Sequence, residues 1–499
     1  MQLTTRIAEK MFQIAGAVPT QGKAPSARKF EAANHSRLNQ DFPATSLSAD
    51  QELRYTLKTM RGRSRYLKQN DAYWVGYCKK LETNVIGEAG LKLQVNAKDA
   101  SGAPKEVLNR KVEDAWRAWC RAENCDVEGQ MDFREFQALA MKTLATDGEV
   151  LIRQVNDEGQ FKLQFLDIDW LDEDYNEARL DNGNRVVMSV EKTRFGKVVA
   201  YWFTEPKYAG FDLTGLKLIP RRTDRLRVPA EQIVHLFVKE RPGQSRGIPW
   251  TTSIMMTLNQ LGGFDDAELV GARIAASNMV IVSPPAEADG GVAAGDISTE
   301  VNPGQVLEMP PGYTVHEFNP TKPLDAGFSK RMLRKAAGAL GINYNSFTPD
   351  LEGVNFSSIR AGEIAERDHW RILQSWLGRY LCQPVFESWL MFQSGLVPAT
   401  QISQVMYPIW RGRGFDWVDP SKDITADIDA MDRGIKTMEM VLADKGIDFE
   451  EHIEQLAYEK KVIEKAGLEL VSPSAKLTAD TATETAAMKP KPTATGAGK

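Results

Sequence analysis

Apolar residues recur at helical spacing over most of this chain and give way to short alternating runs in one middle stretch. Over 50–68, Leu53, Leu57 and Met60 share one side of a predicted helix, and Arg54, Lys58, Arg61, Arg65 and Lys68 are placed on the other. Asn70 or Asp71 can cap a second helix, in which Tyr73, Trp74, Tyr77 and Leu81 recur before Gly87 and Gly90 end it. Two more helices are expected: 105–120, with Leu108, Val112, Trp116 and Trp119 inward, and 132–145, stopping at Asp147-Gly148. Then the period changes. Runs at 150–155, 161–166, 185–190, 198–203 and 233–238 are β-branched or aromatic and bounded by Gly, Asn or Asp. They predict a mostly antiparallel sheet, with a hairpin turn at Phe195-Gly196-Lys197.

Helical periodicity returns after Pro249. The 250–277 helix carries Gly262, Gly263, Ala267, Gly271, Ala272, Ala275 and Ala276. Interior glycines cost about 1 kcal/mol each against alanine, so close approach of another helix is expected to compensate. The segment 278–320 is punctuated by Pro and Gly, with short strands at 280–282, 305–309 and 314–318. At 326–340 the two kinds of residue separate completely. Phe328, Met332, Leu333, Ala336, Ala339 and Leu340 fill one arc, and Lys330, Arg331, Arg334 and Lys335 fill the other. An unpaired buried cation is costly, so the apolar arc is expected against 250–277 and the basic arc away from the interior. After a loop over 341–354 a long helix spans 356–393, with a kink at Pro384 and a stripe of Trp370, Leu373, Leu377 and Leu381. Arg360, Glu363, Glu366 and Arg367 stand at pairing distance along it. Two acidic-faced helices, 420–442 and 448–466, meet at Gly446. The fold class is α+β.

Composition narrows the function. The chain has 499 residues, 42% apolar and 26% charged, the make-up of an ordinary globular protein of about three domains. Cys78, Cys120, Cys125 and Cys382 make no disulfide framework, as expected in a reducing compartment. No secretory signal opens the chain, and its apolar runs fall far short of the ~20 residues of a membrane helix. A soluble protein made in the cytoplasm, with no membrane partner, is expected. Residues 1–45 read as a mobile arm and 472–499 as a disordered tail. Charge is uneven: 1–80 holds 14 basic and 6 acidic residues, whereas 414–470 holds 7 basic and 15 acidic, behind an overall −5.

Chemistry is scarce. There is no P-loop, no dinucleotide-binding Gly-rich turn and no His-Glu-x-x-His. His35, His235, His316, His369 and His452 lie far apart, and no metal or cofactor is expected. Gly243-Gln244-Ser245-Arg246-Gly247 fits a nucleophile elbow, but Gly247-Ile248-Pro249 stands where the helix should begin. Arg241 and Arg246 suggest instead a loop held by ion pairs. Asp167-Ile168-Asp169 ends a strand, where aspartates make turn hydrogen bonds.

Five stretches stand in order over 50–470: Arg61-Gly62-Arg63-Ser64-Arg65 followed by Asn70; Asp147-Gly148-Glu149; 229–235, ending in His235, followed by Gln244-Ser245-Arg246-Gly247-Ile248-Pro249; Asn355-Phe356-Ser357-Ser358-Ile359-Arg360; and Trp417-Val418-Asp419-Pro420-Ser421-Lys422. Together they resemble the lambda family of bacteriophage portal proteins, whose pattern leaves the position of Ser245 free. Phe356 replaces that family's usual tyrosine, which keeps an aromatic ring and removes a hydroxyl.

The resemblance implies a non-enzymatic homo-oligomer, usually a dodecameric ring, at one capsid vertex of the virion. Double-stranded DNA passes through its channel without sequence specificity, driven by a separate terminase. Major capsid and scaffold proteins and a head-completion or adaptor protein are the other implied partners. In that plan 46–250 is wing, 251–277 and 325–341 are stem helices, and 278–324 is clip. The tunnel loop is 342–355, a wing helix and its return span 356–414, and 415–471 is crown. Lys330, Arg331, Arg334 and Lys335 are the DNA-channel candidates; pairing with Asp265, Asp266 and Glu268 on an adjoining stem helix is the competing reading. Two other functions stay open: a serine hydrolase using Ser245, and a non-channel nucleic-acid-binding scaffold using the basic N-terminal region.

Overall fold

The computed structural model describes residues 46–466 except Glu158, 205–224, 277–279, 284–313, 318–325, Ser394 and 416–419, together with Arg37 and Pro43. Nearly all of the expected arm, the whole tail, the 305–309 strand and most of 278–324 lie outside the described residues. The chain divides into two units, Met1–Ser48 and Ala49–Lys499, and the second holds all the elements below.

Helix α1 (Ala49–Asn70) buries Leu53, Leu57, Arg61, Ser64 and Leu67. Arg61 therefore continues the apolar stripe, and its expected place on the polar side is corrected: it is only 2% exposed because carboxylates wait for it inside. Asp71 rather than Asn70 caps α2 (Ala72–Leu81), accepting from the Trp74 amide at 2.7 Å. A π turn, Glu82–Ile86, carries α2 on to Gly87. Strand β1 (Lys92–Gln94) leads to α3 (Glu106–Trp119), which buries Val112, Trp116 and Trp119. A capping box of Asp132 and Glu135 starts α4 (Phe133–Asp147), and left-handed Gly148 ends it.

The middle stretch forms two antiparallel sheets, not one. In chain order the strands are β2 (Glu149–Asp157), β3 (Gln160–Leu166), β4 (Arg185–Val187), β5 (Val190–Lys192), β6 (Val198–Thr204), β7 (Arg225–Pro229) and β8 (Ile233–Phe237). They are ordered β3-β2-β8 and β4-β5-β6-β7. The expected strand 185–190 is two strands, because Met188 and Ser189 turn the chain with positive φ. The turn at 193–197 is a hairpin, with Thr193 N donating to Lys197 O at 2.8 Å. Leu151, Ile168, Leu171, Val190, Tyr201, Phe203, Val228 and Ile233 make a small core between the sheets.

Helix α5 (Met255–Ala276) follows a 3-10 turn, and β9 (Val280–Ser283) pairs with β10 (Thr314–Glu317). Next comes α6 (Ala326–Leu340), then a loop containing one helical turn, Tyr344–Phe347. The expected long helix is helical throughout 356–392 but changes its winding. Between α7 (Phe356–Leu377) and α8 (Gln383–Phe392) lies a π turn, Gly378–Cys382, and Pro384 sits in the first turn of α8. A Cβ on Gly378 would stand 3.0 Å from the Cβ of Trp410, just inside β11 (Ile409–Arg411), which pairs with β1. The expected helix 420–442 is two, α9 (Pro420–Asp432) and α10 (Met438–Asp444), broken at left-handed Gly434. Neither they nor α11 (Phe449–Ala466) buries a residue. The main core runs from α2 through α3, α4 and β2 to α6, α7 and α8, with Trp116 packed edge-on against Phe133, Phe386, Trp389 and Trp410.

Candidate functional site

Three of the five recognisable stretches meet at one carboxylate. Left-handed Gly148 delivers Glu149 to the first position of β2, where it is fully buried. Both its oxygens accept from Arg246 Nε at 2.9 Å, and Oε1 also accepts from Arg61 at 3.3 Å. His235 Nε2 on β8 and the Gly247 amide each lie 3.0 Å from Oε2. Burial alone would raise the Glu149 carboxyl, but Arg246, His235 and Arg61 together outweigh it and hold it far below the carboxylate range. Burial pushes the His235 imidazole down against the pull of Glu149, so the ring is neutral and donates from Nε2.

The cluster extends outward along α1. Arg61 also reaches Asp169 and, at 3.0 Å, Glu173; Arg65, one turn on, clasps Asp147 with two bonds of 2.8 Å and Asp169 at 2.6 Å. Asp167 accepts from the Asp169 amide at 3.0 Å, the turn bond expected there. Two glycines let the strands of this knot touch: a Cβ on Gly148 would stand 2.3 Å from the Ile248 carbonyl carbon, and one on Gly247 would stand 2.0 Å from the Gly148 oxygen. The expected ion-paired loop is present, with Arg246 on Glu149 and Arg241 on Glu52 at 2.6 Å. This is a clamp tying α1, α4, β2, β8 and the turn into α5.

Ser245 belongs to its rim. The side chain is buried; Oγ donates to Asp50 at 2.5 Å and accepts from Lys192 Nζ at 2.6 Å. The imidazole nearest in the motif, His235, faces Glu149, and no helix begins at the serine. That arrangement lacks the exposed oxygen and the histidine base of a nucleophile elbow.

A fourth stretch builds a helix start. Asn355 caps α7 by accepting from the Ser358 amide at 2.8 Å, and Arg360 reaches Asp423 of α9 at 2.6 Å. Arg360 thus meets an acid from another helix. Trp417, Val418 and Asp419 of the fifth stretch lie outside the described residues.

The basic arc of α6 is the other candidate. Leu333, Ala336, Ala337 and Leu340 are buried, and none of Lys330, Arg331, Arg334 and Lys335 is. Phe328, expected inward, is 39% exposed and leans on Phe264 of α5 with ring centroids 5.6 Å apart. Lys330 Nζ donates to Asp350 at 3.0 Å, an acid in the following loop that charge patterning on α6 did not reveal. Tyr344 donates to the same Asp350 oxygen at 2.9 Å, and its ring lies beneath Lys330 and Arg334. The carboxyl of Asp350 is lowered to about 2, first by the Glu352 amide and then by Lys330 and Tyr344. Glu366, buried on α7, accepts from the Asn343 amide at 3.1 Å and from Ser346 at 2.8 Å, fixing the loop's first half.

A family model described as phage portal protein, lambda family, matches residues 35–374. The chain is 32% identical over 475 residues to the probable portal protein of Halomonas phage phiHAP-1, covering 91% of this chain and 90% of that protein. It is 21% identical over 411 residues to portal protein B of Escherichia phage lambda, covering 72% of this chain and 75% of that one. Among solved structures, a chain from the virion of a native gene transfer agent particle shows a faint likeness, with 12% identity, TM-score 0.43, and 78% and 93% of the two chains covered. The chain belongs to the lambda family of phage portal proteins.

Proposed function

We propose that this portal subunit assembles into a closed ring at a capsid vertex and that α6 lines an axial channel through which double-stranded DNA enters and leaves. The observation that carries this is the outward basic arc: four cations on one helix, none drawn into the interior, repeated by every copy in a ring. Lys330, Arg331, Arg334 and Lys335 make brief phosphate contacts there. Open space beside Gly262, Gly263 and Gly271 of α5 supports close approach of a neighbouring copy, since a head-to-tail ring needs a narrow wedge between subunits. Terminase, capsid and scaffold proteins and a head-completion protein are the partners of such a vertex, and the chain itself performs no catalysis. Residues 46–250 and 356–414 form the wing, 251–277 and 325–341 the stem, 278–324 the clip, 342–355 the tunnel loop and 415–471 the crown.

Replacing Arg334 and Lys335 by alanine tests the channel. Rings of normal size that package or retain less DNA are expected. Rings that fall apart, with wild-type rings sensitive to salt, would instead place these residues against acids such as Asp265, Asp266 and Glu268 of a neighbour.

A further inference from the structure

We propose that Asp350, seated with Tyr344, sets how strongly α6 grips DNA by competing with phosphate for Lys330. The proposal rests on the channel reading above. Asp350 Oδ2 accepts from Lys330 Nζ at 3.0 Å and from Tyr344 Oη at 2.9 Å, while Oδ1 accepts from the Glu352 amide at 3.0 Å. The same tyrosine ring lies 5.4 Å from Lys330 Nζ and 5.3 Å from the Arg334 guanidinium carbon. Two of the four cations of the arc, one helical turn apart, thus share one aromatic face, and one of them, Lys330, is also bonded to the anion beside it.

The seat is preset rather than loose. Asn343 and Ser346 are bound to Glu366, and Phe347 packs on Tyr73 with centroids 5.7 Å apart, so Tyr344 is held in place whatever Asp350 does. A phosphate must therefore displace an anion already bonded to Lys330. Each phosphate neutralised adds affinity and salt dependence, and a ring multiplies the effect by its copy number. A duplex that has to move through the ring is better served by cations already partly satisfied.

The test measures binding of random-sequence duplex DNA to rings of the full chain as a function of salt. Asp350→Asn is expected to bind several-fold more tightly at low salt, with a slope of log K against log salt steeper by about 0.9 per added phosphate contact. Tyr344→Phe, which keeps the ring and loses the hydroxyl, should move the same way by less, and it carries the test if Asp350→Asn fails to form rings. In a Lys330→Ala background Asp350→Asn should change nothing. Equal tightening in that background, which reports only a lost negative charge, would overturn the proposal. So would an unchanged affinity and slope in Asp350→Asn when Lys330→Ala weakens binding. Unchanged binding in both Lys330→Ala and Arg334→Ala would overturn the channel reading itself.

Discussion

Glu149 holds two guanidinium groups, an imidazole and a backbone amide with no access to water. Removing one member of a buried pair strands the others, at a cost of about 3–5 kcal/mol. Glu149→Gln and Arg246→Ala are each expected to lose stability of that order in urea denaturation of the chain, whereas Lys335→Ala on the exposed arc should stay within about 0.5 kcal/mol. The pH dependence has a definite sign. His235 is held below its ordinary value, so between that value and its folded one the unfolded chain binds more protons. Stability should fall as pH drops below about 6.5, and again through the carboxylate range, where the depressed Glu149 and Asp169 act the same way. A chain equally stable at pH 5 and pH 7.5 would contradict the clamp.

The elements differ in how they are held, and that decides how well the pattern of residues revealed them. The bounds of Ala326–Leu340 and the outward place of its basic arc are legible in its own periodicity, although Phe328 and Ala339 of the expected apolar arc are exposed and Ala337, outside it, is buried. The place of Arg61 is not legible, since its partners Glu149 and Asp169 lie 88 and 108 positions away and make a charge behave like a core residue. The same holds at the other site: the basic arc is visible in the sequence, but Asp350 and Tyr344 enter it only when the loop folds back. Helical periodicity does not reveal the π turn at Gly378–Cys382 either, and the residue that Gly378 packs against there, Trp410, is distant in the chain. Helix α11 is at the weak end. Two exposed ion pairs link it to α3, Arg117–Glu451 at 3.3 Å and Arg110–Glu454, and exposed pairs of this kind are weak and screened by salt. Burial, helped by Asp448 and Glu451, also raises Glu113 of α3 to about 7. Its stabilising contribution is complete below the ordinary glutamate range and is lost as pH rises through 7. Amide exchange in α11 should therefore quicken both in high salt and from pH 6 to pH 8, after correction for the intrinsic rate, while α4 stays protected. Unchanged α11 protection would show that something else holds it.

At the scale of the whole molecule, α5, α6 and α9 to α11 present unburied surface beside the packed clamp and core. Ile424, Ile428, Ile435, Met438, Met440, Leu456, Tyr458 and Val462 are exposed in this last group, and Met256, Leu269 and Val270 on α5. Such surface fits a subunit whose partners are copies of itself. Residues 1–45 carry little apolar periodicity and 472–499 are mostly Ala, Thr, Pro and Lys, so a chain cut to 46–471 is expected to form rings of the same size by mass measurement. Smaller or absent rings would assign those ends a part in assembly. The most direct test of the central claim is electron microscopy of the purified full-length protein. Closed rings with an axial opening wide enough for a DNA duplex, and α6 on its wall, are the predicted result. Monomers or unclosed aggregates at assembly concentration, or rings whose opening is lined by other elements with α6 on the outside, would contradict it.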